Sequence, residues 1–153
     1  MHRAITALVQ DLAGDWIAIL VCGHRQHVRH RPPFADRSWV ESREGRELHL
    51  GQDLECPLCA RFEWPADFEP YKRTPEFSAA TIPAGLLKDH STKKGVWAKI
   101  VVLEGGLRYT VDALNATFIL DRTTTGTVQP EVLHHIAPLG AVRFYVEFYR
   151  TKV

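Results

Sequence analysis

Two cysteines three positions apart, in Cys56-Pro57-Leu58-Cys59, constrain this chain more than any other feature it carries. A CxxC turn with proline after its first cysteine is a knuckle, whose two thiolates can face one tetrahedral ion while turn amides hydrogen-bond the sulfurs. A structural zinc needs two further ligands. The segment Cys22-Gly23-His24-Arg25-Gln26-His27-Val28-Arg29-His30 offers one thiolate and three imidazoles, at the end of a strand and around a glycine. The ligand set read from these spacings is Cys22, His24, Cys56 and Cys59, with His27 as the substitute for His24. A CxxC pair taken alone also reads as a redox dithiol or as two buried small side chains. The histidine string and the third cysteine favour metal. With three cysteines in all, an odd count, the chain fits thiolate ligation in a reducing compartment better than a disulfide framework, so a cytoplasmic location is expected. His2 and His49 read as ordinary structural residues.

Around this cluster, strand signals dominate. Ala4–Gln10 and Asp15–Cys22 are β-prone runs separated by Asp11-Leu12-Ala13-Gly14, which predicts a hairpin. The second run is apolar on both alternating faces, so cover on both sides is expected. Gln26–His30 can return as a third strand, and Asp36–Glu47 reads as a short helix or ordered loop. From 63 to 81 the chain mixes Pro65, Pro70 and Pro75 with charges and aromatics, the composition of a linker that packs along a surface. Residues 1–62 are then a Cys/His module and 82–153 a second domain. In that domain Val96–Leu103, Leu107–Asp112, Thr117–Leu120, Thr127–Val128 and Val142–Tyr149 read as strands, with Gly105-Gly106 as a hairpin turn. Short strands at this spacing, with little helical periodicity, predict a small barrel or sandwich.

Composition sets the outer limits. Hydrophobic residues make up 45% and charged residues 24%, with a formal net charge of +1, which argues against disorder and gives no reason to expect nucleic acid or a membrane surface as partner. The longest apolar run, Trp16 to Cys22, is too short for a bilayer span, which takes roughly 20 residues. No secretory signal is visible in the first residues. The expected partners are a metal ion or a small molecule, and a homodimer is left open.

Two resemblances add to this reading. Gly14-Asp15-Trp16, the string from Cys22 through Pro33, Trp39-Val40 and Gly51-x-x-Leu54-x-Cys56-Pro57-Leu58-Cys59 resemble a short bacterial family of unknown function. That likeness implies a shared fold and cluster, with no activity attached. The strings Pro83–Trp97, Val102–Tyr109, Gln129–His135 and Val142–Tyr149 resemble the tellurite-resistance TehB/YeaR-like family of cupin-type domains. The resemblance implies a cupin-like β-barrel, with His90 and His134 converging on its mouth around a second divalent metal or a small anion. His135, adjacent to His134 on an extended chain, is expected to point the other way. The usual second histidine of the first cupin motif is missing, since Thr92 stands where it would fall. Glu104 reads as solvated and Glu147 as a weak candidate ligand. A two-histidine site holds metal weakly, which counts against oxygenase chemistry. Leu103-Glu104-Gly105-Gly106 runs into another strand, not a helix, so methyltransferase activity is not expected.

The fold class expected is thus mainly β, a zinc-stapled β-rich module followed by a small cupin-like barrel. The leading function is a non-catalytic, stress-associated metal-binding protein. A metal-dependent cupin enzyme using His90 and His134 stands second, and a metal or redox sensor third.

Overall fold

A computed structural model describes residues 1–152, which divide into two compact units, Met1–Ala66 and a second that begins at Asp67. In the first unit, β1 (His2–Gln10), β2 (Trp16–Leu20), β3 (Arg25–His27) and β4 (Asp53–Glu55) form an antiparallel sheet in the order β3-β2-β1-β4. The hairpin between β1 and β2 is where the sequence placed it. Asp11 closes the turn with its own side chain: its Oδ1 accepts from the amides of Ala13 and Asp15, each at 2.9 Å. An aspartate that satisfies turn amides in this way competes with strand continuation and ends it. On β2, Ala18 and Leu20 are fully buried while Ile17 and Ile19 are half-buried, so the second face is only partly covered. Helix α1 (Arg43–His49) falls partly within the segment read as helix or loop; Ser42 caps it by accepting from the Gly45 amide. His49 stacks on Trp39 with ring centroids 3.9 Å apart, a packing role.

The second unit is built on two long strands, β7 (Trp97–Val111) and β10 (His135–Thr151), paired antiparallel. Strands β5 (Phe68–Arg73) and β6 (Phe77–Ser78) pair along the far edge of β10. Strands β8 (Ala116–Leu120) and β9 (Gly126–Val128) pair along the far edge of β7. The segment 63–81, expected as a linker, supplies two short strands of this sheet, β5 and β6. Its prolines misled because an edge strand tolerates residues that lack an amide proton.

A second correction concerns Gly105-Gly106. They do not turn a hairpin; they lie inside β7, where the ladder to β10 shifts register between Pro138 and Val142. Gly105 adopts φ +74°, and a Cβ there would run into the backbone of Ala141. The glycine thus lets a long strand bend and continue. The outer strands do not pair with one another among the described residues, so the sheet is a curled half-barrel. The pairings stop short of the closed barrel expected from the sequence. Trp97, Leu107, Tyr109, Leu120 and Phe144 of this unit are all nearly inaccessible to solvent.

Candidate metal centre and candidate ligand cavity

Cys22, His24, Cys56 and Cys59 come together in the first unit, each buried. Two tight turns deliver them. Past the end of β2 the chain reverses at Gly23, which takes φ +91°, and the Gly23 amide donates to the Leu20 carbonyl at 2.8 Å. Few residues other than glycine hold that conformation, so Cys22 and His24 can flank it and face the same side. The other pair sits on the short helix α2 (Pro57–Ala60), with Cys56 just before it and Pro57 at its first position, where no amide proton is needed.

The distances test whether a zinc ion fits. Tetrahedral zinc, with Zn–S near 2.3 Å and Zn–N near 2.0 Å, sets S···S at about 3.8 Å and S···N at about 3.5 Å. The Nδ1 of His24 lies 3.4 Å from Cys22 Sγ, 3.4 Å from Cys56 Sγ and 3.5 Å from Cys59 Sγ. Cys22 and Cys56 sulfurs are 3.9 Å apart. Four of the six edges thus match a zinc-sized tetrahedron, all four donor atoms lie within 4.8 Å of one another, and the Cys22–Cys56 separation is far too long for a disulfide. The donor set fits.

The surroundings fit as well. His24 Nε2 lies 2.9 Å from the Glu63 carbonyl, which can only accept, so Nε2 carries the proton and Nδ1 is left with its lone pair toward the sulfurs. The amides of His24 and Cys59 hydrogen-bond the sulfurs of Cys22 and Cys56. A hydrogen bond from Cys59 holds the Cys22 thiol below its usual range, burial pushes Cys56 up, and Cys59, donating to Cys22 and buried, is pushed up to about 12. Without a cation the three sulfurs cannot all ionise; a divalent ion is what the arrangement calls for. Three thiolates on Zn²⁺ would leave one net negative charge. Arg3, buried on β1, supplies a positive charge that favours the thiolate forms of Cys22 and Cys59.

His27, the expected substitute, is not part of this centre. It lies on β3 opposite Ile17, and its Nε2 pairs with Asp11 Oδ2 at 2.9 Å. Strand alternation and the hairpin carboxylate place it on the surface. His30 likewise accepts from the Arg37 amide at its Nδ1. The contribution of Glu63 was not legible in the sequence, because it acts through a backbone carbonyl. Its position follows from the left-handed conformation at Phe62, after which the Glu63 amide reaches back to the Leu58 carbonyl.

In the second unit His90 and His134 meet as expected. They form an isolated antiparallel bridge, each amide donating to the other's carbonyl at 3.0 and 2.9 Å, and their rings lie 4.2 Å apart. Both line a cavity of about 540 Å³ on the concave side of the sheet. Each Nδ1 donates to a carbonyl two residues back, Lys88 for His90 and Val132 for His134, both at 2.9 Å. Burial lowers His134 to about 4, so its ring is neutral near pH 7. The other lining residues include Phe77, Ile100, Val128, Ile136, Val146 and Phe148, with Lys72, Ser91 and Lys93; among the described residues no carboxylate or cysteine lines it. His135 lies outside the cavity and pairs with Asp89 at 2.8 Å. Glu147 is held by Arg73 and Tyr149, and Glu104 by Arg143, so neither is a third ligand.

Comparison with known proteins agrees with this division. Residues 7–63 match a family described as a protein of unknown function (DUF3565), and residues 72–146 match the TehB-like domain. TehB from Haemophilus influenzae is similar in structure at 25% identity and a TM-score of 0.51, over 56% of this chain; the match spans only 32% of that protein. A crystal structure of a protein from Escherichia coli (strain K12) is similar at 21% identity and a TM-score of 0.55, over 60% of this chain and 98% of its own length, a likeness of fold. No curated protein gives a significant match. The C-terminal part of the chain is thus similar to the TehB-like domain, and the N-terminal part, which holds the Cys/His cluster, is similar to the family of unknown function. No helix among the described residues is long and apolar enough to cross a membrane.

Proposed function

We propose that this chain, a DUF3565-type unit followed by a TehB-like unit, is a non-catalytic binding protein in which zinc holds the first unit folded and the second unit takes a small ligand in its concave sheet. The observation that carries the metal half is the tetrahedron of donor atoms around His24 Nδ1. Four protein ligands leave no open position for water or substrate, which is the pattern of a structural zinc site and not of a catalytic one. Burial of all three cysteines to 1% exposure or less also counts against a redox or metal sensor, whose thiols must be reachable. The resemblance to tellurite-resistance proteins supports a stress-associated role. A cupin-like use of the second unit is supported by the paired histidines on a concave sheet. Metal-dependent catalysis is disfavoured there because two imidazoles with no third side-chain ligand hold a divalent ion weakly.

The test is metal analysis of purified full-length protein and of Cys56→Ser/Cys59→Ser. One equivalent of zinc in the parent and none in the double variant is expected. A double variant that keeps a full equivalent, with an unchanged melt, would falsify the structural site.

A further inference from the structure

The reading of the second unit as a ligand-binding part leaves the ligand's chemistry open, and the cavity wall narrows it. Its floor is hydrocarbon and aromatic: Phe77, Ile100, Val128, Ile136, Val146 and Phe148. Its charged members are two lysines, Lys72 and Lys93, with no acidic side chain in the wall among the described residues. Neither lysine has an ion-pair partner among the described residues, whereas Arg73 and Arg143 nearby in the same unit are each tied to a carboxylate. A cavity with unopposed positive charge and an apolar floor favours an anion with an apolar body.

The histidine pair adds a second demand. His134 is 4% exposed, its Nδ1–H is spent on the Val132 carbonyl, and its ring is neutral at ordinary pH. What it offers the cavity is therefore a lone pair at Nε2. His90 likewise has its Nδ1 at the Lys88 carbonyl, so Nε2 is the ring nitrogen left for an occupant. Both rings line the cavity, so an occupant that brings a hydroxyl or N–H to this end gains a hydrogen bond there that a purely apolar one does not. A simple inorganic anion would meet the lysines and make no use of the apolar floor or of the imidazole acceptors.

We propose that the cavity of the second unit is a binding site for a small organic acid whose apolar body carries a hydroxyl or N–H donor. The carboxylate meets Lys72 and Lys93, the body lies against the phenylalanines and aliphatic side chains, and the donor reaches the His90–His134 pair. At about 540 Å³ the cavity falls within the usual range for small-molecule sites, about 300–1,000 Å³.

Four probes of similar size separate the claims, each titrated calorimetrically into the zinc-loaded full chain. They are 3-(4-hydroxyphenyl)propanoate, 3-phenylpropanoate without the hydroxyl, the neutral 3-(4-hydroxyphenyl)propan-1-ol, and tyramine as the cation. The hydroxylated acid is expected to bind tightest, with loss of the hydroxyl or of the negative charge each weakening binding by about tenfold or more, and tyramine weakest. Lys72→Glu/Lys93→Glu changes exposed side chains only and is expected to abolish the preference for the acid while the melt stays unchanged. In nitrogen-15 spectra, the His134 Nε2 signal should move when the hydroxylated acid binds and stay when the phenyl analogue does. An alcohol that binds as well as the acid, in parent and lysine variant alike, would keep the ligand-binding reading and overturn this inference. A second equivalent of zinc that binds at the histidine pair and excludes the acid would overturn it as well. Absence of binding by all four probes, with the zinc of the first unit in place, would overturn it and the ligand-binding half of the proposed function, leaving the zinc half standing.

Discussion

Removal of the metal should unfold one unit and leave the other intact. The first unit has few large apolar side chains at its centre: apart from the cysteines, its fully buried hydrophobic residues are Ile5, Ala18, Leu20, Val28 and Val40. The second unit buries Trp97, Ile100, Val102, Leu107, Tyr109, Val111, Leu120, Ile136, Phe144 and others besides. A structural zinc site contributes apparent binding free energy of about 10–16 kcal/mol at neutral pH. Whole domains are stable by only about 5–15 kcal/mol, and a small one with a thin core stands at the low end. Taking the zinc away therefore removes more than the first unit can supply, and also leaves buried thiols in place of a neutralised cluster. Metal loss should carry it from folded to unfolded.

The tryptophans make this measurable in the full chain. Trp16, Trp39 and Trp64 lie in the first unit, and Trp97, completely buried, lies in the second. Protein labelled with 5-fluorotryptophan gives one fluorine resonance per site. On titration with a strong chelator, three resonances should collapse toward the free amino-acid position in step with zinc release, while the Trp97 resonance holds. Readdition of zinc should restore them. If chelation strips the metal and all four signals stay dispersed, the cluster does not hold the fold. Collapse of Trp97 together with the others would refute the independence of the two cores.

Further outcomes follow from single residues. Arg3→Met should keep the four ligands yet weaken zinc binding by about 10–100-fold in a competition assay, since it deletes the charge that favours the thiolates. Gly105→Ala should lower the stability of the second unit by more than about 1 kcal/mol, read as a lower denaturant midpoint at Trp97, because φ is +74° and the new methyl meets Ala141. His134, lowered by burial to about 4, resists protonation in the folded state, so its contribution to stability is full above the unfolded value near 6.5 and is lost as pH falls toward 4. The second unit should lose about 3 kcal/mol across that window, and His134→Gln should flatten the dependence.

How much of this was legible in the sequence depends on which force fixed each feature. Cys22, His24, Cys56 and Cys59 were readable because metal ligands must sit in short turns, and Cys-Gly-His and Cys-Pro-x-Cys are turns that announce themselves. The choice of His24 over His27 was readable only in part. It is settled by strand register, which puts His27 opposite Ile17 and within reach of Asp11. The meeting of His90 and His134 came from resemblance and not from spacing, for they are joined by a single bridge between segments far apart in the chain.

The failures have a common cause. Proline between 63 and 81 and glycine at 105 and 106 are local punctuation, and local punctuation predicts interruption. In this sheet both were absorbed by position. Pro70 sits on edge strand β5, and Gly105 sits where β7 must bend to keep its ladder with β10 through a shift in register. A strand long enough to span the whole sheet needs such a bend, because an unbroken ladder would twist its ends away from the strands that flank it. The glycine pair therefore marks the place that lets one strand serve β9 at its start and β8 at its end. With the hairpin that the sequence suggested, those two pairings would belong to separate strands, and the continuous wall carrying Ala98, Ile100 and the facing residues of β10 along the cavity would be divided.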